Sequence, residues 1–130
     1  MAGRSRRGTP HRYPRSARLN ETLREIIAEE LVRIDDERLA FVTVTAVDAD
    51  DELNRAHVYF DTLTTDADDD VVAALGEVRI RLQASIARQI RTKKTPILDF
   101  RPDNALRSAE RIDEILREDR LRQDRRDDGT

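Results

Sequence analysis

Cysteine is absent from the chain, and with it any disulfide framework, thiolate zinc site or thiol nucleophile. Tryptophan is absent too, and two Tyr and three Phe are the whole aromatic complement, so the core must be built from Val, Ile and Leu. No apolar run approaches the roughly 18 residues that span a bilayer. The Arg-rich start is followed by no apolar stretch, so neither a membrane anchor nor a secretory signal is expected, and a cytoplasmic location is. A phosphate-binding Gly loop, a nucleophile elbow and a recognisable metal motif are also missing, which argues against an enzyme. No cofactor, metal or small-molecule substrate is expected.

What is present is charge, and its order matters more than its sum of -3. Residues 1–18 carry six Arg and no acid; residues 19–78 carry seventeen acids against four bases. Residues 79–101 then hold seven bases against Asp99 alone, and the remainder is close to balanced. A phosphate backbone meets the local field, so two strongly basic segments outweigh an acidic total.

Periodicity divides the 130 residues into one domain of about a hundred residues with polar ends. Residues 1–14 mix Arg and Ser with Gly3, Gly8, Pro10 and Pro14 and read as a disordered basic arm. After Ser16, a candidate cap, Leu19, Leu23, Ile27, Leu31 and Ile34 recur at three or four and predict a helix ending near Arg33 to Asp35. Phe41 to Val47 changes to period two, with Thr43 and Thr45 against Val42, Val44 and Ala46. Arg55 to Thr62 alternates again, and the two strands should pair as a hairpin.

A long helical stripe follows through Val71, Leu75, Val78, Leu82, Ile86 and Ile90, ended by Pro96. Ile97 to Arg101 predicts a third strand, and Leu106, Ile112, Ile115 and Leu116 mark a last helix. Residues 15–118 form the expected domain, and 119–130 read as a flexible charged tail. The order implies an α+β fold, a three-stranded sheet covered on one face by helices, with His57 and Tyr59 on the open face.

Arg79, Arg81, Arg88, Arg91, Lys93 and Lys94 are the sharpest candidate site. Arg81 and Arg88 lie within about 20° of each other on a helix, and Arg91 within about 80° of Arg81, so one flank can track a phosphate backbone. These side chains lie off the apolar stripe, so reversing the charge of Arg81 and Arg88 is expected to cost little stability. Arg12, Arg15 and Arg18 extend the site toward the arm, where Arg4, Arg6 and Arg7 add charge. Asp48 to Glu52 begins like a calcium loop but has Leu53 where Gly is required and Tyr59 in place of the final Glu, so it reads as a turn. Asp66, Asp68, Asp69 and Asp70 read as helix-start charge, and His57 and Tyr59 as exposed strand residues rather than a stacking platform.

Taken in order from about Ser16 to Leu116, these segments resemble the ribosome-binding factor A family. The resemblance is carried by Asp36-Glu37-Arg38-Leu39, Val42-Thr43-Val44-Thr45 and Ala56-His57-Val58-Tyr59, then by Pro96-Ile97-Leu98-Asp99-Phe100 and Arg111-Ile112-Asp113-Glu114-Ile115-Leu116. Glu37 stands where the family usually has Pro. The resemblance implies a KH-like domain of type II topology in a bacterial assembly factor that binds the small (30S) ribosomal subunit and its 16S rRNA. It also implies a role in late maturation, assistance in processing the 5′ end of the rRNA precursor, and support of growth in the cold. Off the ribosome the protein is expected to be a monomer. The family bends its long helix at Ala-x-Gly; the register puts Val78-Arg79-Ile80 there, whereas the matching tripeptide Ala74-Leu75-Gly76 lies about one turn earlier, so both positions are open. The alternative is a protein-interaction module that contacts a basic ribosomal protein through the acidic first helix.

Overall fold

The computed structural model describes residues 14–92 and 94–128. In chain order these form α1 (Pro14–Val32), β1 (Thr43–Ala49), β2 (Arg55–Asp61), α2 (Asp68–Glu77), α3 (Arg79–Gln89), β3 (Ile97–Pro102) and α4 (Asn104–Asp128), with short 3-10 turns at Glu37–Leu39 and Thr65–Ala67. β1 and β2 make an antiparallel hairpin, and β3 joins β2 in parallel, giving the sheet order β1-β2-β3. A parallel pair needs a crossover, and α2 with α3 supplies it. This is the expected α+β, KH-like type II arrangement.

α1 begins at Pro14, where a residue lacking an N–H and fixed near helical φ costs nothing. Ser16, expected as the cap, sits inside the first turn instead. Leu23, Ile26, Ile27 and Leu31 are buried against Val58 and Phe60 of the sheet and Leu82 and Ile86 of α3 in one continuous core.

β2 keeps strict period two: Ala56, Val58 and Phe60 are buried while His57, Tyr59 and Asp61 are half-buried on the other face. β1 departs from it. Its register passes from Val44↔Phe60 to Ala46↔Tyr59, so Thr45 is left in a bulge and Val47, not Ala46, takes the core side. The extra residue resets the phase of the strand. Thr45 Oγ1 donates to Asp103 Oδ2 at 2.5 Å, tying the bulge to the residue that follows β3. The strand also starts at Thr43, leaving Phe41 outside it and exposed.

The long helical stripe is two helices. The break falls at Val78 (φ -102°, ψ 7°), and Gly76 stays inside α2. Of the two positions left open by the sequence, Val78 is the bend. Arg79 anchors the restart, its Nε donating to the Leu98 carbonyl of β3 at 2.9 Å.

α4 departs from expectation at both ends of its role. Helical backbone runs to Asp128, past Glu118 where a flexible tail was expected to begin. Arg122 and Asp119, three residues apart, pair along it. Its stripe does not cover the sheet: Ile112, Ile115 and Leu116 are exposed, as is every described side chain from Ser108 to Arg125. The helix is held at its root, where Arg107 binds Asp61 Oδ1 at 2.8 Å and Asp68 Oδ2 at 2.6 Å. Asp103 Oδ1 accepts from the Leu106 N–H at 2.9 Å and closes the first turn.

Candidate nucleic-acid interface

Five hydrogen bonds bring the basic segments to one end of the domain. The Ala49 N–H donates to Asn20 Oδ1 at 3.0 Å, which fixes the start of α1 beside the end of β1. The Ile97 N–H donates to the Asn54 carbonyl at 3.1 Å, and Lys94 Nζ donates to Asn54 Oδ1, so the loop after α3 lies against the hairpin turn. Glu30, late in α1, meets Arg81 near the start of α3 and Ser85 at its middle, while the start of α1 and the chain leaving α3 both lie at the hairpin turn, so the two helices run antiparallel. The point where the arm joins the domain, the first residue of β2, and the end of α3 therefore converge. Arg18, Arg55, Arg88, Arg91 and Lys94 are all exposed there.

The hairpin turn itself is closed by Asp50, whose Oδ1 accepts the Asn54 N–H at 2.8 Å, with Leu53 at φ 58°. That accounts for the calcium-like run as a turn. Its exposed acids Asp50, Asp51 and Glu52 border the cationic surface. At the opposite end Asp35, Glu37, Asp66, Asp69 and Asp70 are exposed, without an ion pair among the described residues. Cations from distant segments thus gather at one end beside the acids of the hairpin turn, and the carboxylates of the other end stand apart from them.

The expected site residues do not behave as one group. Arg88 and Arg91 are exposed with no side-chain partner among the described residues, and Lys94 is exposed beside Asn54. Arg79 is half-buried, hydrogen-bonded to Leu98 and stacked over Phe100 at 5.6 Å from the ring centre, so it braces α3 on β3. Arg81 Nε donates to Glu30 Oε2 at 2.8 Å, and the Glu30 side chain is 6% exposed. The Arg81 hydrogen bond holds the Glu30 carboxyl below the ordinary glutamate range, with Ser85 and Arg33 adding to it. Reversing Arg81 therefore strands a buried carboxylate beside a second one, which corrects the expectation of little stability cost. Arg12 and Lys93 lie outside the described residues, as does the side chain of Arg15.

Arg55 escaped the sequence reading. It stands alone in an acidic stretch, and only its position as the first residue after the hairpin turn places it among the cations. On the open sheet face, His57 Nδ1 lies 3.0 Å from Asp99 Oδ2, and Arg101 Nε donates to the same oxygen at 2.9 Å. The His57 and Tyr59 rings are tilted by 53° with centres 6.4 Å apart, so they present no shared stacking plane. α1 is a weaker acidic surface than its composition suggests, because Glu21 pairs with Arg24 and Glu30 is internal.

The family model of ribosome-binding factor A matches residues 15–116. The chain belongs to the ribosome-binding factor A family. It is 34% identical over 107 residues to ribosome-binding factor A of Thermodesulfovibrio yellowstonii, covering 82% of this chain and 91% of that one. The crystal structure of ribosome-binding factor A from Thermus thermophilus superposes with a TM-score of 0.63 at 31% identity, over 69% of this chain and 97% of the other. A homology model of the Thermus thermophilus protein, fitted into a cryo-EM map of a 30S–RbfA complex, superposes with a TM-score of 0.58 at 31% identity, over 68% and 96%. In this family member no helix among the described residues is long and apolar enough to cross a membrane.

Proposed function

We propose that this chain is a non-enzymatic assembly factor of the small ribosomal subunit, binding 16S rRNA through its basic end. Membership of the family, and the 30S–RbfA complex of a Thermus thermophilus relative, support the subunit as partner. The observation that carries the RNA contact is the convergence of Arg18, Arg55, Arg88, Arg91 and Lys94 at the end where the arm joins. Phosphates need cations at intervals on an exposed surface and no strict motif. The arm, with Arg4, Arg6, Arg7, Arg12 and Arg15, adds positive charge that acts through its sum. Bound late in maturation, the factor assists processing of the 5′ end of the rRNA precursor and supports growth in the cold. It acts in the cytoplasm and is a monomer off the ribosome.

The test is a titration of 16S rRNA fragments with the full chain across a salt series. If about five phosphates are neutralised, the log-log slope is about -3.5 on single strands and about -4.5 on duplex. Binding that does not vary with salt would exclude the phosphate reading.

A further inference from the structure

The acidic end of the domain carries a second surface, of opposite character. Phe41 and Leu63 each lie two residues beyond the last pair of the hairpin, Thr43↔Asp61, and so stand side by side at its open end. Phe41 is 70% exposed and Leu63 75%. Both line a groove of about 320 Å³ whose floor includes Val42 and Val71 and whose rim includes Glu37 and Asp70.

Neither apolar side chain is needed for the core. Val44 and Phe60 already fill the sheet side of this region and are 4% and 0% exposed. A bulky pair held open to water beside a groove marks a contact surface. Its surroundings define what it contacts. Glu37 and Asp70 on the rim, with Asp35, Asp66 and Asp69 on the neighbouring turns, form no ion pair among the described residues. Arg38 also lines the groove, but its charge is met by two carboxylates, Asp36 and Glu77, and that of the nearby Arg107 by Asp61 and Asp68. RNA is repelled by such a field.

We propose that this groove docks a basic protein segment, one that sets an aliphatic side chain between Phe41 and Leu63 and its Lys or Arg residues against the carboxylate rim. The surface lies at the far end of the domain from the proposed RNA contact, and it does not depend on that contact. One factor would then hold phosphate at one end and a cationic polypeptide at the other.

The test uses the full chain and two fluorescein-labelled peptides of alternating Lys and Leu, or Lys and Ser, read by polarisation. The Lys-Leu peptide should bind about tenfold more tightly than the Lys-Ser peptide, since central apolar anchors dominate such contacts. Phe41→Ala with Leu63→Ala should abolish that difference while leaving rRNA binding and circular dichroism unchanged. Glu37→Gln with Asp70→Asn should weaken both peptides. Amide chemical-shift changes on adding the Lys-Leu peptide should centre on residues 37–42 and 62–71. Equal binding of the two peptides, shift changes centred elsewhere, or an RNA oligonucleotide perturbing these same residues would overturn the assignment.

Discussion

Arg81 closes over Glu30: the guanidinium Nε lies 2.8 Å from a carboxylate whose side chain is 6% exposed, and Ser85 Oγ donates to its other oxygen at 3.3 Å. A residue placed on an RNA-binding flank by helical spacing thus joins α1 to α3. Glu30 is the buried partner and Arg81 the exposed one, and taking the cation away leaves the buried carboxylate without compensation. Arg81→Glu is therefore expected to lower the thermal midpoint by several degrees, whereas Arg88→Glu, a surface change, stays within ~0.5 kcal/mol of the parent. Thermal melts followed by circular dichroism separate the two.

The same pair sets an acid limb. Glu30 has a folded-state pKa below its ordinary value of 4.5, so its contribution to stability is fully present above that value. The contribution is lost as the pH falls through the lower folded-state pKa. Asp68, lowered chiefly by its hydrogen bond to Arg107, behaves in the same sense. Urea midpoints measured from pH 7 down to pH 3 should fall, and Glu30→Gln should flatten the fall. A variant with an unchanged acid slope would show that the pair does not report on folding.

Gly76 offers a test of where the helix bends. Its position lies within α2, and a Cβ added there meets nothing within 4 Å. Gly76→Ala should stabilise the protein by about 0.5–1 kcal/mol, the helix-propensity difference, and leave the break at Val78. Destabilisation measured by urea unfolding would mean that the bend needs glycine.

Arg79 illustrates a bracing arginine that charge counting alone cannot distinguish from a ligand-binding one. Arg79→Lys keeps the charge but loses the planar group over Phe100 and the directed bond to Leu98. A stability loss of about 1–2 kcal/mol is expected, with the salt slope of RNA binding unchanged. Arg79→Gln, which removes the charge, should leave that slope unchanged as well, and a shallower slope in the Gln variant would return Arg79 to the RNA surface.

The sequence was informative where one rule governed a segment. The α1 stripe, the alternation of β2 and the hairpin followed from spacing, because burial on a single face imposes a period that any neighbour preserves. The bulge at Thr45 was not legible, since an inserted residue changes phase without changing composition, and the contact that holds it, Asp103, is 58 positions away. The partners of Arg79 and Arg81 were hidden for the same reason: Leu98 and Glu30 are 19 and 51 positions distant. α4 was read as a helix from its stripe, but a stripe states only that a face is apolar. Whether anything covers it depends on where the helix leaves the sheet, and here Arg107 holds the root while Ile112 to Leu116 stay exposed. Arg55 joined the basic end through the pairing of strands, which no local window contains.

The basic end as the ribosomal contact is tested most directly by co-sedimentation of the full chain with purified small subunits, comparing the parent with Arg88→Glu plus Arg91→Glu. Both side chains are exposed and free of partners among the described residues, so the variant should remain folded. The parent should travel with the subunit at low salt and be released as salt rises; the variant should stay at the top of the gradient, with an rRNA salt slope shallower by about two. A folded variant that travels with the subunit as the parent does, at an unchanged slope, would contradict it.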